Sequence, residues 1–161
     1  MYKRIIVAYD GSREGRTALR EGALLARRFG AQVHLLAVIA ETPGMRVAEG
    51  AHAGCIAHQM ETYRGILQEA VTGVQPLGIK LEARLVRGEP AQEIAAYARL
   101  IQADLVVVGH RKQSLLQRWW SGPSGAYLSD YLDCSLLIAR KTISTEEFLA
   151  EIGEGADLVE A

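Results

Sequence analysis

The most constraining feature of this sequence is an uninterrupted apolar run, Leu105-Val106-Val107-Val108, which ends at Gly109. A strand that is apolar at every position is buried on both faces, which is typical of the centre of a parallel sheet. Parallel strands need crossover connections, and these are usually helices. The run therefore predicts an α/β fold with helices on both faces of a sheet.

Strand and helix patterns alternate through the rest of the chain, which predicts a doubly wound sheet with right-handed crossovers. The segment at 80–86 alternates apolar and charged residues, so we expect it to be an edge strand. Ser12 is placed to cap the first helix and Gly30 to end it. We expect strands at 4–10, 32–39, 80–86, 103–109 and 135–139, and helices from Ser12 to Phe29, from His58 to about Val71, from Pro90 to Ile101 and at 125–132. Residues 40–56 are rich in glycine and predict a long loop.

Length and composition indicate one globular domain at residues 1–141, because 161 residues are little more than the roughly 150 of a typical domain. Apolar residues make up 49% of the chain and charged residues 23%, as in ordinary folded proteins. No uncharged apolar run approaches the length of about 18 residues that a membrane span needs, and the first residues do not resemble a signal peptide. We expect a cytoplasmic protein that does not bind membranes.

The last twenty residues, 142–161, form an acidic tail with six carboxylates and no Lys or Arg. The rest of the chain carries 18 basic and 13 acidic side chains, a net charge of +5. Such an excess suits an anionic ligand but is too small to indicate nucleic acid. Ser144 and Glu147 have the spacing of a capping box, so we expect a short, solvated helix in the tail. The alternative is that the tail folds over the basic body and competes with an anionic ligand.

Three segments are predicted to meet at the carboxyl ends of the strands, where open α/β sheets bind ligands. They are the turn at Asp10, the end of the second strand at Val38, and the loop from Gly109 to Gly125. That loop contains the cations Arg111, Lys112 and Arg118, and it leads into a helix N-terminus, a combination suited to phosphate. The alternative is that its glycines only end elements and that its cations are solvated.

Several familiar chemistries have no support in the sequence. A phosphate loop of the G-x-x-x-x-G-K-[ST] type and the G-x-G-x-x-G dinucleotide fingerprint are both missing. His52, Cys55 and His58 match no common zinc spacing, and His110 has no evident partner that would make it a general base. We therefore predict no metal site and no catalytic residue. Trp119 and Trp120 are adjacent, so one is expected to pack beneath the loop and the other to contact a partner subunit.

Four segments, in order along the chain, resemble the universal stress protein family. They are Ile5-Ile6-Val7-Ala8-Tyr9-Asp10-Gly11-Ser12, Gly88-Glu89-Pro90, Ala103 through Arg111, and Cys134-Ser135-Leu136-Leu137-Ile138. The resemblance covers about residues 2–140. It implies a five-stranded parallel sheet of order 3-2-1-4-5, similar to the adenine nucleotide alpha-hydrolase fold. It also implies a homodimer joined through the last strand, residues 135–139, and binding of ATP, with Mg²⁺ as a candidate companion ion.

The family's nucleotide motif is G-x-x-G, nine residues, then G-[ST]. Gly109 and Gly122 match its first and third glycines, Lys112 replaces the second, and Pro123 replaces the Ser or Thr directly before Ser124. By the same resemblance Asp10 lies near the adenosine and Val38 contacts adenine. The full set of nucleotide-contacting residues that we expect is Ala8, Tyr9, Asp10, Ser12, Val38, Gly109, His110, Arg111, Lys112, Gly122, Ser124 and Gly125.

Three functional hypotheses follow. The first is a cytoplasmic stress-response module in which ATP occupancy changes the 40–56 loop or the dimer surface and so alters the binding of protein partners, whose identity the sequence does not give. The second is a dimeric interaction protein of the same family without nucleotide, which Lys112 and Pro123 favour because lysine is strained where glycine has φ > 0 and proline offers no N–H. The third is slow ATP hydrolysis, for which the sequence offers no metal-binding carboxylate beyond Asp10 and no identified base.

Overall fold

The computed structural model describes residues 1–41, 53–110 and 128–154. Five parallel strands form one sheet in the order β3-β2-β1-β4-β5, as predicted. The strands are β1 (Arg4–Ala8), β2 (Gln32–Ala40), β3 (Leu81–Gly88), β4 (Leu105–Gly109) and β5 (Ser135–Ala139). The helices are α1 (Arg13–Phe29), α2 (Ala53–Val74), α3 (Pro90–Ile101), α4 (Leu128–Tyr131) and α5 (Thr145–Glu154).

Burial along the strands follows their place in the sheet. Every residue of β4 is buried, because β4 lies between β1 and β5 and is covered on both faces. The three residues at 82–84 of β3 are exposed, which confirms the predicted edge strand.

Side chains of β1 alternate between two apolar layers. Ile5 and Val7 pack with α1 and α2 on one face, whereas Ile6 and Ala8 pack with α3 on the other. This alternation is the period of two that strand geometry imposes. The alternation therefore determines on which face of the sheet each side chain near the end of β1 lies.

Helix α2 begins at Ala53, inside the segment that we expected to be a loop up to residue 56. Its half-buried and buried positions recur at helical spacing and extend beyond the predicted start. They include Ile56, Met60, Tyr63, Leu67, Ala70 and Val74. Gly54 within the first turn does not prevent the helix, because a glycine inside a helix costs only about 1 kcal/mol.

The acidic tail also differs from the expected solvated helix. Helix α5 packs against α1, and Phe148 is only 5% exposed within the main core. The Ser144 hydroxyl accepts a hydrogen bond from the Glu147 N–H at 3.0 Å, and the Glu147 carboxylate accepts from the Ser144 N–H at 2.8 Å. This is the capping box that the spacing predicts.

Candidate functional site

The strand order reverses between β1 and β4. From β1 the chain adds β2 and β3 on one side of the sheet and then returns to place β4 on the other. The helices that follow β1 and β4 leave the sheet in opposite directions, which opens a crevice at the carboxyl ends of these two strands. Asp10 follows β1 at this crevice, Gly109 ends β4, and His110 comes directly after it.

A short chain of hydrogen bonds fixes the turn after β1. One carboxylate oxygen of Asp10, Oδ1, accepts from the Ser12 N–H at 3.0 Å and from the Ser12 hydroxyl at 2.5 Å. The same hydroxyl accepts from the Gly15 N–H at 3.0 Å and so caps α1. Gly11 between them has φ +78°, a conformation that favours glycine. The Asp10 carboxylate is therefore held in one orientation before any ligand arrives.

Gly109 faces the first turn of α1 at very short range. A Cβ atom at this position would lie 2.3 Å from the Glu14 carbonyl oxygen and 2.5 Å from its carbon. Only a residue without a side chain lets α1 approach β4 this closely. The first glycine of the expected nucleotide motif therefore has a packing role that does not depend on any ligand.

The predicted residues at the end of β1 and β2 do not all face the same side. Ala8 and Val38 belong to the layer that packs with α3, whereas the Tyr9 side chain is buried in the layer that contains α1 and α2. Burial raises the pKa of the Tyr9 hydroxyl, and its backbone N–H donates to the Leu36 carbonyl at 2.9 Å. The structure thus places the Tyr9 side chain on the opposite face of the sheet from Ala8 and Val38, although the Asp10 carboxylate still acts on its hydroxyl.

Two features at this edge escaped the sequence analysis. Tyr63 of α2 is half-buried, and its pKa is raised first by burial and then by the carboxylate of Asp10, which places the ring beside that carboxylate. From the sequence alone, Tyr63 is one of several apolar residues at helical spacing, a pattern that indicates a position in the core.

The second feature is an ion pair between Glu41, which follows β2, and Arg87 of β3. One Glu41 carboxylate oxygen lies 3.0 Å from Arg87 Nη2, and the Glu41 N–H donates to the Gly88 carbonyl at 3.1 Å. The pair joins the ends of β2 and β3 beside Val38. No motif spacing relates residues 46 positions apart, so only the sheet register could have revealed it.

The remaining predicted site residues lie outside the described part of the chain. They are Arg111, Lys112, Gly122, Ser124 and Gly125, together with Trp119, Trp120 and His52. The ranges 1–41, 53–110 and 128–154 contain no group of three or more His, Cys, Asp or Glu residues that could hold a metal ion. No helix within them is long and apolar enough to cross a membrane.

Relatives of this chain found by sequence comparison are described as universal stress proteins. A universal stress protein of Methanocaldococcus jannaschii is 26% identical over 142 residues, covering 88% of this chain and 84% of its own. Universal stress protein YxiE of Bacillus subtilis is 28% identical over 151 residues, covering 87% of this chain and all of its own.

Solved structures show the same architecture. A member of the universal stress protein family from Burkholderia pseudomallei superposes with a TM-score of 0.65 at 27% identity, covering 85% of this chain and 95% of that one. A universal stress protein in complex with cAMP has a TM-score of 0.62 at 23% identity, with 88% and 98% covered. One from Archaeoglobus fulgidus in complex with dAMP has a TM-score of 0.58 at 20% identity, with 86% and 98% covered.

A family model described as "Universal stress protein family" matches residues 1–140, which include all five strands and helices α1 to α4. With the fold, the strand order and these relatives in agreement, this chain belongs to the universal stress protein family.

Proposed function

We propose that this protein is a cytoplasmic stress-response module that binds ATP at the carboxyl ends of β1, β2 and β4. The observation that carries the proposal is the Asp10 carboxylate, held by Ser12 at the edge where the strand order reverses. Support comes from the similarly folded proteins that were crystallised with cAMP and dAMP.

Each part of the nucleotide has a counterpart among the residues at this edge. Ribose hydroxyls are donors that suit the Asp10 carboxylate, and the apolar Val38 side chain suits the face of adenine. The phosphates would be bound by the segment from Gly109 to Gly125, through the cations Arg111 and Lys112 and the Ser124 hydroxyl. ATP occupancy would then alter the 40–56 segment or the dimer surface and so change partner binding.

The first test is the nucleotide content of freshly purified protein, measured by anion exchange after denaturation, followed by calorimetric titration with ATP and Mg²⁺. We expect saturable binding that is roughly fivefold weaker in Asp10→Asn, because a hydrogen bond to a charged acceptor exceeds a neutral one by about 1 kcal/mol. The substitution keeps an oxygen that can accept from Ser12, so the turn is retained.

Asp104→Asn is the matched control. The Asp104 carboxylate also accepts two hydrogen bonds on one oxygen, from the N–H groups of Lys3 at 2.7 Å and Arg4 at 2.8 Å, but at the opposite end of the sheet. We expect ATP affinity to be unchanged there. Equal affinities for ATP in the wild type and Asp10→Asn would remove the proposed role of this carboxylate, and no binding at millimolar ATP would reject nucleotide binding altogether.

The second candidate function is a dimeric interaction protein that does not use nucleotide. It is favoured by the contact between Gly109 and Glu14, because that contact explains the motif glycine without a ligand. The half-buried apolar residues Leu136, Leu137 and Ile138 lie on edge strand β5 and would pair with a second copy. Sedimentation equilibrium at twice 17.6 kDa, with no ATP binding in the calorimeter, would favour this candidate.

A further inference from the structure

A cavity of about 370 Å³ lies between α1, α2 and α5, on the face of the sheet where the Tyr9 side chain is buried. Helix α5 forms one wall with Phe148, Leu149 and Ile152, and it lies beyond the residues 1–140 that the family model matches. The cavity lies on the opposite face of the sheet from Ala8 and Val38, although Tyr9 and Gly11, the neighbours of Asp10 in the chain, line it.

The apolar lining of this cavity comes from all three helices. Leu19 of α1, Ala70 and Val74 of α2 and Ile152 of α5 line it. Leu149 lines it as well, although it is 57% exposed, an unusual fraction for a leucine next to a core. An apolar cavity of about 150 Å³ holds benzene, so this one has room for an apolar body of about ten carbon atoms.

The polar lining includes Arg16, Glu69 and Tyr9. Burial is the main cause that raises the pKa of Tyr9; the charge of Arg16 lowers it, and the carboxylates of Asp10 and Glu69 raise it further, so these groups surround the hydroxyl. Arg16 donates one N–H to the Gly11 carbonyl at 2.8 Å, and a guanidinium carries five N–H donors.

Two of the three charged side chains that line the cavity are cationic. Arg16 and Arg20 contribute two positive charges and Glu69 one negative charge. Arg20 holds α5 in place, because it donates to the Ile143 carbonyl and the Thr145 hydroxyl. Arg16 is therefore the cation that is best placed to receive a carboxylate.

We propose that this cavity is a binding site for a monocarboxylate with an apolar body, of the size of a medium-chain fatty acid. Its carboxylate contacts the Arg16 guanidinium and the Tyr9 hydroxyl, and its chain lies between α1, α2 and α5. The site does not depend on nucleotide, so its test is made without ATP and its failure would leave the nucleotide proposal unaffected.

The test is calorimetric titration of the full chain with decanoate, octanoate and octanol. Each buried methylene changes affinity about fourfold, so octanoate should bind roughly 15-fold more weakly than decanoate. Octanol lacks the charge and should bind at least fivefold more weakly than octanoate.

Substitution of two glycines of α2 gives one variant in which the cavity is filled and one control variant in which it is not. Gly73 lines the cavity, and a Cβ there meets nothing within 4 Å, so Gly73→Leu fills the space without a clash and should lower decanoate affinity at least tenfold. Gly65 is on the same helix, away from the cavity and equally open, so Gly65→Leu should bind decanoate like the wild type. Both substitutions improve helix propensity, and both variants should fold.

Three results would overturn the proposal. The first is no saturable heat with millimolar decanoate, and the second is octanol binding as tightly as octanoate. The third is undiminished decanoate affinity in Gly73→Leu, which would place any bound fatty acid elsewhere on the molecule.

Discussion

Gly109→Ala tests whether the glycine that ends β4 is required for packing or only for a ligand. The added Cβ would lie 2.3 Å from the Glu14 carbonyl oxygen and 3.0 Å from the Glu14 Cβ. Ordinary contact begins near 3.4 Å, so the first turn of α1 must retreat by about 1 Å. The obstacle is backbone, and no change of side-chain rotamer can relieve it.

The size of the effect follows from two opposing contributions. Overpacking a well-filled contact costs about 1 to 3 kcal/mol, and we expect the upper end here because α1 is also capped and anchored at this turn. The alanine also lowers the conformational entropy of the unfolded chain, which raises the free energy of unfolding by about 0.4 to 1 kcal/mol. Gly109→Ala should therefore lower the free energy of unfolding by about 2 kcal/mol.

Urea unfolding followed by circular dichroism measures this loss without any ligand present. With a denaturant dependence of about 2 kcal/mol per molar urea, the midpoint should fall by about 1 M. Gly73→Ala is the control, since its Cβ meets nothing within 4 Å, and it should stabilise α2 by about 0.5 to 1 kcal/mol. The packing argument fails if Gly109→Ala unfolds at the wild-type midpoint, and a simultaneous loss of ATP binding would then assign the glycine to the ligand alone.

Two further predictions concern a buried base and the terminal helix. His34 is 5% exposed with Nδ1 3.0 Å from the Tyr97 hydroxyl, and burial lowers its pKa despite the nearby Glu82 carboxylate. The unfolded chain therefore takes up a proton at higher pH than the folded chain, so stability should fall as pH drops below about 6.5. Urea titrations from pH 7 to 5 should show a shallower decline in His34→Gln, and identical slopes would contradict this. Phe148→Ala should cost about 3 kcal/mol in the same assay, whereas the exposed Leu149→Ala should change stability by less than about 0.5 kcal/mol; equal losses would mean that α5 is not anchored through Phe148.

The architecture could be predicted because each element carries its own periodic signal. The apolar run of β4 indicated burial on both faces, and the alternation at 80–86 indicated an edge. The order of the strands could not be predicted in this way, because periodicity does not say which strands are neighbours. That order came from the family resemblance and not from the patterns themselves.

The candidate site was predictable only where its parts are close in sequence. Asp10, Gly11 and Ser12 form a turn and a helix cap within three residues, and the structure shows both. The contact of Gly109 with Glu14 joins residues 95 positions apart, so the sequence showed a glycine without showing what required it. Tyr63 shares the spacing of core residues on α2, and only the fold shows that it lies beside Asp10.

The acidic tail shows how a net charge can mislead when its geometry is ignored. Six carboxylates in twenty residues suggested solvation, yet α5 docks because α1 presents Arg20 and Arg27 two helical turns apart, on one face. Arg27 donates to the carbonyls of Glu151 and Ile152 at 2.7 and 3.0 Å, where the helix dipole is negative. Arg20 lies 5.6 Å above the Phe148 ring. The sequence feature that indicates this docking is the seven-residue spacing of Arg20 and Arg27. Two cations on one face of α1 supply the hydrogen-bond donors and the positive charge that stabilise a short acidic helix, and Phe148 supplies the apolar contact.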